Sequence, residues 1–269
     1  MQTPRALGII AGSGVYPLLL ANAARKAGVN RIVAAAFHGE TDPALAQQVD
    51  HIEWMRVGQL GRLISTFKSA TVRDAIMAGQ IAPANLFDLR PDVRALVLLA
   101  KLKQRNAESI FSAIAAELDA NGVKLLPATS FLENHLAPAG MIAGKKLGRR
   151  QQEDVRYGFE IAKEISRLDI GQTVVVKNGT VLAVEAFDGS NAAIRRGGAL
   201  AGKGAVVVKV SKPDQDLRFD VPVIGAETIK TAAEASIAVI AAEAGRTLLL
   251  DRTAVVEAAN RAGISLVGL

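Results

Sequence analysis

The feature that most constrains this chain is the alternation, over its first half, of short apolar runs with stretches spaced like one face of a helix. Ala6–Ile10 is a strand-length apolar run broken by Ala11-Gly12-Ser13-Gly14, after which Val15–Ala27 has helical spacing and closes at Gly28. The alternation recurs. Strands are expected at Arg31–Phe37, His51–Met55, Asp74–Ala78 and Val123–Leu126, with helices at residues 43–48 and 60–69, Val93–Gln104 and Ala107–Ala120. Parallel neighbours need crossover connections, so this order predicts a Rossmann-like open parallel sheet.

The pattern lapses from Pro127 to Arg150, where prolines, glycines and the basic pairs Lys145-Lys146 and Arg149-Arg150 suggest an interdomain connection. The expected organisation is a Rossmann-like N-terminal domain over residues 1–130, a linker over 131–150, and a second, mixed α/β domain over 151–269. A chain of 269 residues is long enough for two cores. The second domain opens with a helix at Gln151–Leu168 and a hairpin at Lys177-Asn178-Gly179-Thr180, since Asn-Gly tolerates positive φ at both central positions. Helices near Ala192–Ala199, Glu227–Ala233 and Thr253–Ala262 then alternate with strands at Ala205–Val210, Ile237–Ala241, Thr247–Leu250 and Ser265–Val267.

Composition removes several classes of function. With no cysteine there is no disulfide and no thiolate nucleophile, and any metal must be held by oxygen or imidazole. The three histidines are scattered, which suits structural roles. A net charge of +6 favours anionic partners. Only 4% of residues are aromatic, and there is no run of five basic residues, so nucleic acid is not an expected partner. No apolar run approaches the roughly 20 residues that cross a bilayer, and Met1–Arg5 leads straight into a strand. A soluble, cytoplasmic chain is expected, and one able to form a homodimer.

Functional groups are densest from Val184 to Gly225, where Glu185 and the turn Asp188-Gly189-Ser190-Asn191 are followed by Arg195-Arg196, Lys209, Lys212 and Asp220. Carboxylates facing clustered cations suit metal-assisted phosphate chemistry, because cations neutralise a diphosphate while a carboxylate holds an ion or orients a water. Asp220 precedes Val221-Pro222, which disfavours helix there, and it is read either as an ion or phosphate ligand or as a surface salt-bridge partner. An exposed Asp220 among cations is expected to stay ionised and weakly basic. The 188–191 turn can cap the helix that carries Arg195 and Arg196 and so build an anion site.

In the first domain Gly12-Ser13-Gly14 could present amides to a phosphate, or it could be a tight turn. The dinucleotide fingerprint fails, with Pro17 at the third glycine and Phe37-His38-Gly39 where an acid should end the second strand. Gly58–Arg62 and Ala78-Gly79-Gln80-Ile81 lie on the same expected sheet edge, as binding loops or ordinary turns.

Taken together, these residues resemble the UDP-2,3-diacylglucosamine diphosphatase family of the LpxI type, two-domain enzymes of lipid A biosynthesis. The resemblance rests on Ile10–Pro17, Ala78-Gly79, Leu168–Gln172 followed by Val174-Val175, Leu182–Ala186, Lys209–Pro213 and Asp220–Gly225. It implies hydrolysis of the substrate's diphosphate to UMP and 2,3-diacylglucosamine 1-phosphate, aided by a divalent metal such as Mg²⁺, with transient contact at the inner membrane face. It places the family's essential aspartate on Asp220 and suggests Asp188 as a second metal ligand. Substrate contacts are expected from Gly12, Ser13, Gly14, Gly79, Gln80, Asp188, Gly189, Ser190, Asn191, Arg195, Arg196, Lys209 and Lys212. The chain departs from the family's Glu-Gly-Thr-Asp turn, since Asp188 shortens the Glu and Asn191 adds no negative charge. An NAD(P)-dependent oxidoreductase and a non-catalytic nucleotide or lipid-phosphate binding protein are the alternative functions.

Overall fold

The computed structural model describes residues 3–81, 91–103 and 107–269. The chain divides into two units, one of Met1–Leu132 with Leu217–Phe219 and one of Glu133–Asp216 with Asp220–Leu269.

The first unit is built on a five-stranded parallel sheet of order β3-β2-β1-β4-β5, from β1 (Ala6–Ala11), β2 (Arg31–Phe37), β3 (His51–Met55), β4 (Asp74–Ala78) and β5 (Lys124–Leu125). The central strands are buried on both faces, which explains their unbroken apolar runs; Leu7 and Ile9 are fully buried, as are Ala34, Ala35 and Ala36. Helices α1 (Tyr16–Lys26), α2 (Leu60–Ser69), α3 (Val93–Lys101) and α4 (Ala107–Ala120) accompany the sheet. Helix α2 buries Leu60, Leu63, Ile64 and Phe67, an i, i+3, i+4, i+7 stripe that packs it against the sheet. The end of α3 expected at Gln104 lies outside the described residues. Tyr16 is buried, which pushes its phenol up from the usual value, and it donates to the Ala128 carbonyl.

The second unit has a six-stranded mixed sheet of order β6-β13-β11-β9-β7-β8, from β6 (Gly140–Ala143), β7 (Thr173–Lys177), β8 (Thr180–Val184), β9 (Ala205–Lys209), β11 (Ile237–Ala242) and β13 (Ser265–Gly268). Strands β9, β11 and β13 are parallel, while β7, beside β9, and β6, beside β13, run antiparallel. Side chains alternate across this sheet. Val174, Val176, Val206 and Val208 pack with α5 (Arg149–Arg167), and Val175, Val207 and Ile240 pack with α6 (Ser190–Ala201), α7 (Ala226–Glu234) and α8 (Arg252–Ala262).

Both central residues of the β7–β8 turn have positive φ, at 50° for Asn178 and 71° for Gly179, as the Asn-Gly signal requires. Buried Asp154 on α5 accepts from both of their amides, at 2.9 and 2.7 Å, and so fixes the hairpin to the helix. Residues 131–150, read from sequence as a connection, hold a 3₁₀ turn at Glu133–His135, edge strand β6 and the start of α5. The pairing of β6 with β13 joins positions more than 120 residues apart, such as Ala143 with Leu266, so no local periodicity announces it. The same holds for β10 (Val223–Ile224), which pairs with β12 (Leu248–Leu249) as a separate two-stranded parallel ribbon. Among the described residues no helix is long and apolar enough to cross a membrane.

Candidate active site

The second unit gathers its polar groups at the carboxyl end of β9. Lys209 is the last residue of that strand and is buried, yet it carries an ammonium that needs partners. Its Nζ donates to Ser190 Oγ at 2.9 Å, and Ser190 Oγ in turn donates to Glu185 at 2.9 Å. An ammonium has no acceptor and a carboxylate no donor, so the chain runs one way, and Thr173, 3.0 Å from Ser190 Oγ, supplies a further donor to it. Burial lowers the pKa of Lys209, opposed by the nearby charges of Glu185 and Asp220.

Asp220 follows a turn that begins at Ser211, and its amide donates to the Asp216 carbonyl at 3.1 Å. It is half-buried, and burial raises its pKa; Lys212, the Gln215 amide and Lys209 act in the opposite direction, and Asp169 adds to the rise. This corrects the expectation of an exposed, weakly basic aspartate. Loss of hydration outweighs the attraction of the lysines, which leaves a carboxylate that accepts a proton more readily than an ordinary Asp. Lys212 forms an ion pair with Asp169, and its amide donates to Gln215 Oε1 at 2.6 Å.

The Ser211 turn is anchored from behind by Glu243, which accepts from the Ser211 amide at 2.7 Å, from its hydroxyl at 2.9 Å and from Lys163 at 3.2 Å. These bonds overcome the effect of burial and hold the Glu243 carboxyl below its usual range. Lys163 also donates to the Ser211 carbonyl at 2.8 Å, and Arg246 donates to Ser211 Oγ at 3.1 Å.

Ser190 begins α6, with Gly189 before it at a φ of 81°. Asp188 forms an ion pair with Arg196, which also donates to the Val184 carbonyl at 2.8 Å; Arg195 is exposed and Asn191 half-buried. Asp188 is thus engaged with an arginine. Among the described residues no group of three or more acidic or imidazole side chains stands ready to hold an ion. Mg²⁺ does not need one, because it is usually held by one or two carboxylates and the substrate's own phosphates.

The glycine loops of the first unit join one another. Gly12 N donates to the Ala78 carbonyl at 2.8 Å, and Ser13 bonds the Gln80 carbonyl through both its amide, at 2.7 Å, and its hydroxyl, at 2.8 Å. A Cβ on Gly12 would lie 2.5 Å from the Gln80 oxygen, and one on Gly79 would lie 2.5 Å from the Ser13 oxygen. These two glycines are explained by the close approach of two backbones. Gly14, with a φ of 83°, faces open space.

The structure therefore brings together Ser190, Lys209, Lys212 and Asp220 in the second unit, and separately Gly12, Ser13, Gly79 and Gln80 in the first. Sequence reasoning counted Glu185 among the carboxylates of the dense run but gave it no partner, and assigned no role to Thr173, Asp169 or Glu243. Asp169 stands inside the Leu168–Gln172 motif and could have been found there; Thr173 and Glu243 lie outside both the dense run and the motifs, and only the fold delivers them.

Two domain models cover the chain. The LpxI N-terminal domain matches residues 6–135 and the LpxI C-terminal domain residues 138–267. A curated relative, UDP-2,3-diacylglucosamine pyrophosphatase LpxI of Caulobacter vibrioides, is 31% identical over 276 residues, spanning 98% of both chains. Among solved structures, the biotin carboxylase domain of Hydrogenobacter thermophilus 2-oxoglutarate carboxylase aligns at 12% identity with a TM-score of 0.30, covering 67% of this chain and 36% of that one. A likeness of that size carries no argument.

Proposed function

The chain belongs to the LpxI family, and from that premise we propose that it hydrolyses the diphosphate of UDP-2,3-diacylglucosamine to UMP and 2,3-diacylglucosamine 1-phosphate. The observation that carries this reading is a half-buried Asp220, its pKa raised by burial, in the field of Lys209 and Lys212. In this reading Asp220 orients a water and takes its proton, while Lys209 and Lys212 stabilise charge on the phosphoryl oxygens. A bound Mg²⁺, held by Asp220 and the diphosphate, would add charge neutralisation at the same oxygens. The oxidoreductase alternative is not favoured, because the Gly12 and Ser13 amides that would face a cofactor are bonded to the neighbouring loop.

The substrate carries two acyl chains, which supports transient contact with the inner membrane face from the cytoplasm. Co-sedimentation with anionic vesicles checks that contact, and analytical ultracentrifugation checks for a homodimer. The deciding experiment measures UMP release from purified substrate with and without Mg²⁺. Asp220→Ala should lower the rate by about 10³-fold or more while the fold persists, since both proton acceptance and charge placement are lost. Near-normal hydrolysis by that variant would refute the reading.

A further inference from the structure

The first unit holds a cavity that no step above uses. It measures about 790 Å³, within the range of small-molecule sites, and lies past the carboxyl ends of β1, β2 and β3. Its lining includes Val15, His38, Glu40, Asp42, Pro43 and Trp54. In an open parallel sheet that edge is where ligands bind. Between β1 and β4, where the strand order reverses, the Ser13–Gln80 bridge closes the edge, so the open space falls on the β2 side instead.

The walls are fixed in advance. Buried Thr41 accepts from the Phe37 amide at 2.8 Å and donates to the Ala11 carbonyl, and Asp42 accepts from the Ala44 amide at 2.9 Å, so the loop after β2 is tied to the end of β1. His38 and Trp54 stack with centroids 5.6 Å apart, which gives the cavity a flat aromatic face. A second, smaller cavity of about 220 Å³ shares His38 and is lined by Arg56, Gln59 and Arg62. The two cavities differ in charge. Carboxylates line the larger, which disfavours phosphate but accepts hydroxyl donors, whereas guanidinium groups line the smaller. Arg62 is held by Glu53 at 2.8 Å, and Arg56 is exposed.

We propose that these two cavities, which share His38, together bind a nucleoside phosphate, with the base on the His38–Trp54 face, the ribose hydroxyls at Glu40 and Asp42, and the phosphate at Arg56. Under the hydrolysis reading, on which its choice of base rests, the ligand is uridine monophosphate. Aromatic faces take any base by stacking, and a guanidinium matches the geometry of a phosphate. A two-acyl lipid suits neither cavity, since its chains would desolvate the carboxylates of one and the arginines of the other.

Trp54 is the sole tryptophan of the chain, so its emission reports on this cavity with no label. Titration of the full chain with UMP should quench Trp54 saturably, uridine should quench it more weakly, and glucosamine 1-phosphate should leave it unchanged. Arg56→Ala should weaken UMP about tenfold or more and leave uridine unaffected, because a charge-assisted contact to the phosphate is lost. Exposed His38→Ala should weaken both. UMP binding seen by calorimetry with Trp54 emission unmoved and no effect of Arg56→Ala would overturn the site. Turnover of substrate with Trp54 silent to UMP overturns the site and leaves the hydrolysis reading standing; quenching in a chain that releases no UMP does the reverse.

Discussion

At the carboxyl end of β1 the first unit joins two loops, largely through backbone groups, whereas at the carboxyl end of β9 the second unit surrounds a buried lysine with side chains. The first arrangement needs only small residues where two backbones meet, at Gly12 and Gly79. The second needs a hydroxyl and a carboxylate in fixed order, Ser190 then Glu185, to keep a charge inside the protein. Glycines at a sheet edge invite a binding interpretation, but here the close approach of two backbones already accounts for Gly12 and Gly79. The lysine adds nothing to packing that an apolar residue would not supply better, which is a reason to assign it to chemistry.

Lys209→Met breaks this comparison most severely if it is mistaken. Removing a preorganised cation should cost the hydrolysis about 10²–10³-fold, the scale of deleting one oxyanion donor. Combined with Glu185→Gln, so that the network keeps no carboxylate deprived of its cation, the same change should leave thermal stability equal or higher, because an apolar chain of similar length replaces a desolvated charge. Activity and stability should therefore move apart, as read by UMP release and by calorimetry on one preparation. A variant that loses both together would make Lys209 a structural residue.

Gly12→Ala should show the opposite signature with a smaller effect. The added methyl meets the Gln80 carbonyl at 2.5 Å, a backbone atom that cannot turn aside. A loss of about 1–3 kcal/mol in urea unfolding is expected from such overpacking. Hydrolysis per folded molecule should be nearly kept. If activity vanishes while stability holds, the glycine loop is a ligand site after all and the contrast between the units collapses.

What the sequence made legible follows the same division. Strands such as Arg31–Phe37 and His51–Met55 were readable to the residue, because apolar runs and turn residues are local signals and a parallel sheet buries both faces. Strand β6 was not, because its four residues are extended only through β13. Within the site, Asp220, Lys209 and Ser190 lie in a stretch whose composition draws notice. Asp169, in the turn after α5, and Glu243, just past β11, reach that stretch from elsewhere in the chain, and a carboxylate that acts at a distance in sequence leaves no spacing to read. The basicity of Asp220 was also hidden, since it depends on burial and not on its charged neighbours alone.

Glu243→Gln tests the network behind the site and has the smallest expected effect. The folded pKa of Glu243 lies below its ordinary value of 4.5, so its contribution to stability is complete above that value and is lost as the pH falls through the lowered one. The amide can still accept one of the Ser211 bonds but leaves Lys163 without its carboxylate, so a loss of about 1 kcal/mol is expected near neutral pH. Glutamine does not titrate. The stability gap between the two proteins should therefore narrow as the pH falls below 4.5 and close once it passes the lowered value of the folded chain. Because the change acts on the turn that carries Lys212 and touches no reacting atom, the apparent affinity for substrate should shift more than the turnover. An equal gap at both pH values would mean that the Glu243 bonds contribute shape and not charge to the turn before Asp220.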